Sequence, residues 1–259
     1  MNLAEKRLAI RNILDPRSPA DAAAIYYTNY HPQDKVQITT IPEAFERAEG
    51  YLCSAMTGID LFRPLVTMRL PKDDSTDQLN YFQSVELLHK SLPVGAPVII
   101  STTARYRPLL GALFDIEKED QLRILVLDQK KYEPLINVLV TRTRTSTGLP
   151  RYIVRKTEQG MLGHSGDILA SAGLNWQSPR FAEIYVHTRD NFRRLGLGRS
   201  VVAALIREVI ETGRTPIYVV SENNEPSTHL AKSVGFVDTG FEEVLIEGSL
   251  HERPVAANK

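Results

Sequence analysis

Phe181-Ala-Glu-Ile-Tyr-Val-His-Thr188, followed by Arg189-Asp-Asn-Phe-Arg193-Arg-Leu-Gly196-Leu-Gly198-Arg-Ser200, is the stretch that decides the fold. Its first eight residues read as a strand. From Ser200 the period changes. Val201, Val202, Leu205, Ile206, Val209 and Ile210 fall on one face of a helix, which Thr212-Gly213 ends. Between strand and helix, Gly196 and Gly198 leave the backbone without a Cβ, so N–H groups can crowd inward. The helix start adds unpaired N–H groups and the positive end of its dipole. Arg189, Arg193, Arg194 and Arg199 bring four guanidinium groups. Such a loop suits an anion, a pyrophosphate above all. It is not a P-loop, because no Gly-Lys-Ser/Thr is present. Nor is it a dinucleotide fingerprint, because Val201 stands where the third glycine belongs. Alone, Arg-x-x-Gly-x-Gly describes an ordinary strand-to-helix turn equally well.

Outward from this stretch, Asp167 to Leu174 reads as a strand that forms a hairpin with Phe181 to Thr188 through Asn175 to Arg180. Arg151 to Thr157 reads as a strand and the polar, Gly-rich Glu158 to Gly166 as a loop. Downstream come a strand in Gly213 to Ser221, a helix from Pro226 to Val234, Gly235-Phe236, and a strand from Glu243 to Glu247. The first half echoes this order. Leu79 to Leu92 is helical, Gly95 to Ser101 a buried strand, Arg105 to Phe114 helical and Leu122 to Leu127 a strand. The echo reads either as a duplicated domain, with its boundary near Asp128 to Pro134, or as coincidence. Before it lie helices at Leu3 to Leu14 and Ala20 to Tyr30, the second capped by Ser18, and strands at Val36 to Ile41, Tyr51 to Thr57 and Leu65 to Leu70. The loop Pro71 to Gln78 holds no glycine and no arginine, so a duplicated first half has lost its phosphate cradle.

The order hairpin, glycine loop, amphipathic helix, strand, Asn224, short helix, Gly235-Phe236 resembles the GNAT superfamily of acyl-CoA-dependent N-acyltransferases. Arg193, Gly196 and Gly198 match its loop. Asn224, Ser227, Leu230, Gly235 and Phe236 match the pattern after it, and the likeness spans roughly residues 151 to 247. The resemblance implies acetyl-CoA as co-substrate and a primary amine as acceptor. It implies that the strand ending at Val186 and Thr188 splays from its neighbour at a bulge and pairs with the pantetheine arm. Arg193, Arg194, Leu195, Gly196, Leu197, Gly198, Arg199 and Ser200 would wrap the pyrophosphate, and Asn224 and Ser227 would join the CoA site. Phe181-Ala-Glu183-Ile resembles a strand of the histone-modifying branch, whose glutamate is the general base. The spacing from Glu183 to the loop is one residue shorter than there, which could turn the side chain to the other face. A solvent-facing glutamate is the competing reading, and His187 the second base candidate. Many members carry a tyrosine, as the acid for the leaving thiolate, where this chain has Ala231. His229, Ser233 and Ser221 are its neighbours. The overall order also resembles two-lobed members such as glycine N-acyltransferases.

Composition sets outer limits. The 259 residues carry 31 basic and 31 acidic side chains, so net charge makes no case for nucleic acid or an anionic membrane. No apolar run approaches the ~18 residues of a membrane span, and Met1 to Leu14 lacks the apolar core of a signal peptide. Cys53 is the single cysteine, and His31, His89, His164, His187, His229 and His251 show no metal-ligand spacing. Trp176 either lines an acceptor pocket or packs. The expectation is an α/β fold. A GNAT-like mixed twisted sheet flanked by helices occupies residues 129–259, and a degenerate GNAT-like copy occupies residues 1–128. The expected activity is N-acetyl transfer from acetyl-CoA to a small-molecule amine, by direct attack in a ternary complex with Glu183 as base. The protein is expected to be cytoplasmic, metal-free, monomeric or homodimeric, and without nucleic-acid or membrane partners. The alternative is a non-catalytic acyl-CoA-binding or regulatory module.

Overall fold

A computed structural model of the chain describes residues 1–43, 47–58, 60–73, 78–156 and 166–252. The chain divides into two units. The first comprises Met1–Leu122 with Glu242–Lys259, and the second comprises Arg123–Phe241.

The first unit opens with α1 (Leu3–Ile10), closed by a capping box between Asn2 and Glu5. The expected helix from Ala20 to Tyr30 is broken up. A 3₁₀ turn at Pro19–Asp21 leads into α2 (Ala22–Ile25) and then a π turn at Tyr26–Tyr30. Ser18 makes no capping bond. The Thr28 hydroxyl bonds the Ala24 carbonyl at 2.8 Å, competing with the helical ladder, and the His31 N–H reaches back five residues to Tyr26. Strands β1 (Val36–Ile41), β2 (Gly50–Ala55) and β3 (Leu65–Arg69) pair antiparallel. Next, α3 (Tyr81–Ser91) crosses over to β4 (Pro97–Thr103), which is parallel to β3. After that come α4 (Arg107–Leu113) and β5 (Phe114–Leu127). The sequence shows β5 only from Leu122, because its first turns of chain are charged and mostly exposed and carry no apolar alternation.

The second unit repeats this order. Strands β6 (Thr141–Arg144), β7 (Pro150–Arg155), β8 (Ile168–Gln177) and β9 (Phe181–Thr188) pair antiparallel in succession. Then α5 (Leu197–Glu211) crosses over to β10 (Thr215–Ser221), parallel to β9, and α6 (Glu225–Ser233) leads into β11 (Phe236–Leu250). A run of antiparallel strands, three in the first unit and four in the second, then a helical crossover to a parallel strand, a short helix and a last strand thus occur twice. The last strands are exchanged. Glu243–Ser249 of β11 pairs with β4, and β5 lies beside β10. The hairpin turn falls later than the sequence suggested, because β8 continues to Gln177 through a register shift between Leu174 and Trp176. Most of the Glu158 to Gly166 loop lies outside the described residues.

In the second unit the apolar face of α5 packs on the sheet. Leu197, Val201, Val202, Leu205, Ile206 and Val209 meet Ala170, Ala172 and Leu174 of β8, Ala182 and Ile184 of β9, and Tyr218 and Val220 of β10. Each such side chain contributes about 2 kcal/mol on burial. Gly213, at φ 76°, ends the helix in a Schellman motif. Its own N–H bonds the Ile210 carbonyl, and the Arg214 N–H bonds that of Val209. Trp176 is 1% exposed and Cys53 fully buried, so both are packing residues. Among the described residues no helix is long and apolar enough to cross a membrane.

Candidate functional site

Parallel pairing between β9 and β10 is brief. It joins Phe181 to Thr215, Ala182 to Pro216 and Glu183 to Ile217, and then stops. Beyond Glu183, β9 continues to Thr188 paired only with β8. The N–H and C=O groups it turns away from β8 there have no ladder partner. β10 likewise runs on from Tyr218 to Ser221. The two strands form a fork with Glu183 and Ile217 as its last joined pair. The expected bulge at the splay is not found: the register shift lies on β8, where Asn175 is the extra residue.

The fork opens toward the start of α5. This helix begins at Leu197, three residues before the apolar period, so Gly198, Arg199 and Ser200 form its first turn rather than part of the loop. Gly196 takes the N-cap position in the left-handed region, φ 75°, and no side chain caps the helix. Arg194 is also left-handed, at φ 63°. A Cβ on Gly196 would meet nothing within 4 Å, so the space above it is open. Gly198 is a packing glycine instead. A Cβ there would stand 2.8 Å from Leu230 Cδ1 and 2.9 Å from Thr188 Oγ1. The α5 start therefore sits flush against the end of β9 and against α6.

Asn224 caps α6, its side chain accepting the Ser227 N–H at 3.2 Å. Together these elements enclose a cleft of about 720 Å³, within the range of small-molecule sites. Val186, Thr188, Arg193, Arg194, Gly196, Leu197, Gly198, Arg199, Asn224 and Ser227 line it. Leu195 and Ser200 do not. Leu195 is 53% exposed on the outside of the loop, and Ser200 is buried with its hydroxyl on the Gly196 carbonyl. Sequence reasoning left out Glu225 and Pro226 of the α6 first turn as lining residues. His229, Leu230 and Ser233 also line the cleft. Their spacing of three and four residues along α6 was the available signal.

The arginines divide by role. Arg189 pairs with Asp167 at 2.8 Å and stands outside the cleft. Arg193 pairs with Asp190 at 2.7 Å on the open surface. Arg199 reaches Glu133 at 3.3 Å, while its buried Nε has no partner among the described residues. The cleft thus carries cationic groups and the uncapped N-terminal end of a helix, a combination that stabilises anions.

Glu183 does not line the cleft. The α5-facing side of β9 is Ala182, Ile184 and Val186; Glu183, Tyr185 and His187 face the opposite side. On that side Asn175 Nδ2 donates to Glu183 Oε1 at 2.7 Å. Burial pushes the Glu183 carboxyl above the usual carboxylate range, and hydrogen bonds from Asn175 and Trp176 only partly oppose this. Tyr185 lies across β8 with its hydroxyl over Gly173, where a Cβ would be 2.6 Å away. His187 is exposed on the same face. Ala231 is fully buried in the core and does not reach the cleft, nor does Ser221 line it.

Gly235-Phe236 has a structural cause. Gly235 sits at φ 106°, with a would-be Cβ 2.8 Å from the Lys131 backbone. Phe236 packs on the Tyr218 ring at 5.6 Å. Among the described residues no three His, Cys, Asp or Glu side chains are placed to hold a metal ion.

Residues 165–245 match the family model described as FR47-like protein. No curated protein matches the chain. Solved structures similar to it include an acetyltransferase of the GNAT family from Colwellia psychrerythraea, with 12% identity, a TM-score of 0.58, and coverage of 96% of this chain and 98% of that one. A tandem GNAT protein from the clavulanic acid biosynthesis pathway is 12% identical, with a TM-score of 0.56 and coverage of 98% and 95%. A Drosophila protein is 13% identical, with a TM-score of 0.61 and coverage of 95% and 87%. The chain therefore has a GNAT-like fold, and its residues 165–245 carry the FR47-like match.

Proposed function

We propose that the second unit binds acetyl-CoA in this cleft and transfers the acetyl group to a primary amine, on a small molecule, by direct attack in a ternary complex. The observation that carries the reading is the fork of β9 and β10 opening onto the uncapped N-terminus of α5. Pyrophosphate would take the N–H groups at the start of α5, with Arg194 and Arg199 beside them. The pantetheine arm would pair with the unladdered edge of β9 and run toward Glu183 and Ile217. The acceptor would enter from the opposite face of the sheet, where Glu183, Tyr185 and His187 stand. A carboxylate of raised pKa at the root of the fork can take a proton from an ammonium group, directly or through water. The first unit is then a degenerate copy without a cofactor site of its own, and the chain works in the cytoplasm.

The test is free-thiol release from acetyl-CoA with a panel of amines, run beside calorimetric CoA binding. Amine-dependent thiol release supports transfer. Tight CoA binding without turnover on any amine would mean a binding or regulatory module.

A further inference from the structure

The Tyr218 hydroxyl is buried beside the cleft without touching it. Tyr218 is the first residue of β10 past the last pairing with β9, and its side chain is 3% exposed. Its ring is clamped against Phe236. Among the described residues its hydroxyl has one partner, Ser227 Oγ, at 2.8 Å. A buried O–H left without an acceptor costs about 1–3 kcal/mol, so Tyr218 donates to Ser227. The Ser227 N–H is already taken by Asn224, and the residue lines the cleft. With its oxygen accepting from Tyr218, Ser227 has its own proton free to turn into the cleft. Tyr218 keeps its proton throughout, because burial raises its pKa.

From this geometry we infer that Ser227, held by Tyr218, is the proton donor to the departing sulfur of the acyl-CoA. The inference rests on the proposed transfer reaction. As the amine nitrogen bonds to the acyl carbon, the carbon–sulfur bond breaks and its electron pair goes to sulfur. The Ser227 O–H donates a hydrogen bond to that sulfur, and its proton completes the thiol. Ser227 regains a proton from cleft water, and the proton that the amine lost returns to that water, while Tyr218 keeps its own and holds the Ser227 oxygen in place. Ser227 is the catalytic residue, and Tyr218 is a positioning residue acting through it. The hydroxyl pair would do the work that a side chain at the buried Ala231 cannot.

The experiment compares Ser227→Ala, Ser227→Thr and Tyr218→Phe with the parent, on the amine that the parent turns over fastest. Thiol release gives kcat and KM, calorimetry gives CoA affinity, and the solvent isotope effect on kcat is measured for each. Ser227→Ala should lower kcat by roughly tenfold or more, with CoA affinity held within about twofold. Ser227→Thr should restore most of the rate. Tyr218→Phe should lower kcat several-fold and reduce the isotope effect. An unchanged kcat in Ser227→Ala, or a loss confined to CoA affinity, overturns the inference, since the hydroxyl then only holds the pantetheine arm. Failure of Ser227→Thr to restore a lowered rate also overturns it. Turnover absent in the parent with every amine removes the transfer reaction itself, and this inference with it.

Discussion

At the residue scale the decisive contrast is between Glu183 and Ala231. Glu183 sits at the root of the fork, on the face away from α5, and desolvation holds its pKa above the usual carboxylate range. If it is the base, Glu183→Gln should lower kcat by roughly 10²-fold or more, with CoA affinity unchanged. Loss of activity on the acid side should then centre above the ordinary glutamate value of ~4.3. A near-parental rate in the variant would remove the role and leave His187 or a water chain. The same shift makes a stability prediction of definite sign. A carboxylate with a raised folded pKa weakens the native state when ionised, above its unfolded pKa, and the penalty is absent below it. Glu183→Gln should therefore be at least as stable as the parent at pH 7, and any gain should shrink as pH falls toward about 4.3 and be gone below it. Thermal melts at the two pH values decide this. Ala231 behaves differently from what the sequence suggested. It is sealed in the core, so Ala231→Tyr overpacks α6 against the sheet. That change should cost about 1–3 kcal/mol, visible as a lowered Tm.

At the element scale the two glycines at the head of α5 do different things. Gly196 supplies a left-handed N-cap under open space, and Gly198 lets α5 close on Leu230 and Thr188. Gly196→Val puts a branched side chain where the pyrophosphate would lie. It should weaken CoA binding by at least tenfold, about 1.4 kcal/mol. Some loss of Tm should accompany it, because a branched residue is strained at positive φ. Gly198→Val should fail earlier, as poor folding, because its side chain collides inside the packed junction. Calorimetry on the folded variants, with circular dichroism as the control, separates the two. Unchanged CoA affinity in a folded Gly196→Val protein would refute the proposed cradle.

At the scale of the whole molecule, the repeated order of strands and helices in the two units raises the question of a second cofactor site. The α3 start answers it chemically. Asn80 caps α3, its side chain accepting the Gln83 N–H at 3.1 Å, where α5 has a bare glycine. A side-chain oxygen already fills one of the places that a phosphate would take. One CoA per chain is expected in a titration, and Gly196→Val should abolish most of that single event. A stoichiometry of two would show that the first unit has kept its cradle.

The sequence alone determined the crossover of the second unit and the position of its glycine loop at the start of α5. The period of Val201 to Ile210, the two glycines and Asn224 are local signals, and helix starts, left-handed positions and caps are local physics. It could also locate the repeated order, since apolar runs mark buried strands wherever they fall. What only the tertiary structure decided lies in contacts between distant segments. The exposed, charged beginning of β5 carries no period, so its length and the exchange of last strands were invisible. The break in the helix near Thr28 depends on one hydroxyl choosing the Ala24 carbonyl. Whether Glu183 faced the cleft or the opposite side depended on which face of β9 packs on α5, and its place at the root of the fork on where β10 stops pairing. The Tyr218–Ser227 bond joins a strand to a helix that follows it, and no spacing rule announces such a pair. Burial of Ala231 is likewise a property of the packed core, because a position known only by its place in a motif has no depth until its neighbours close around it.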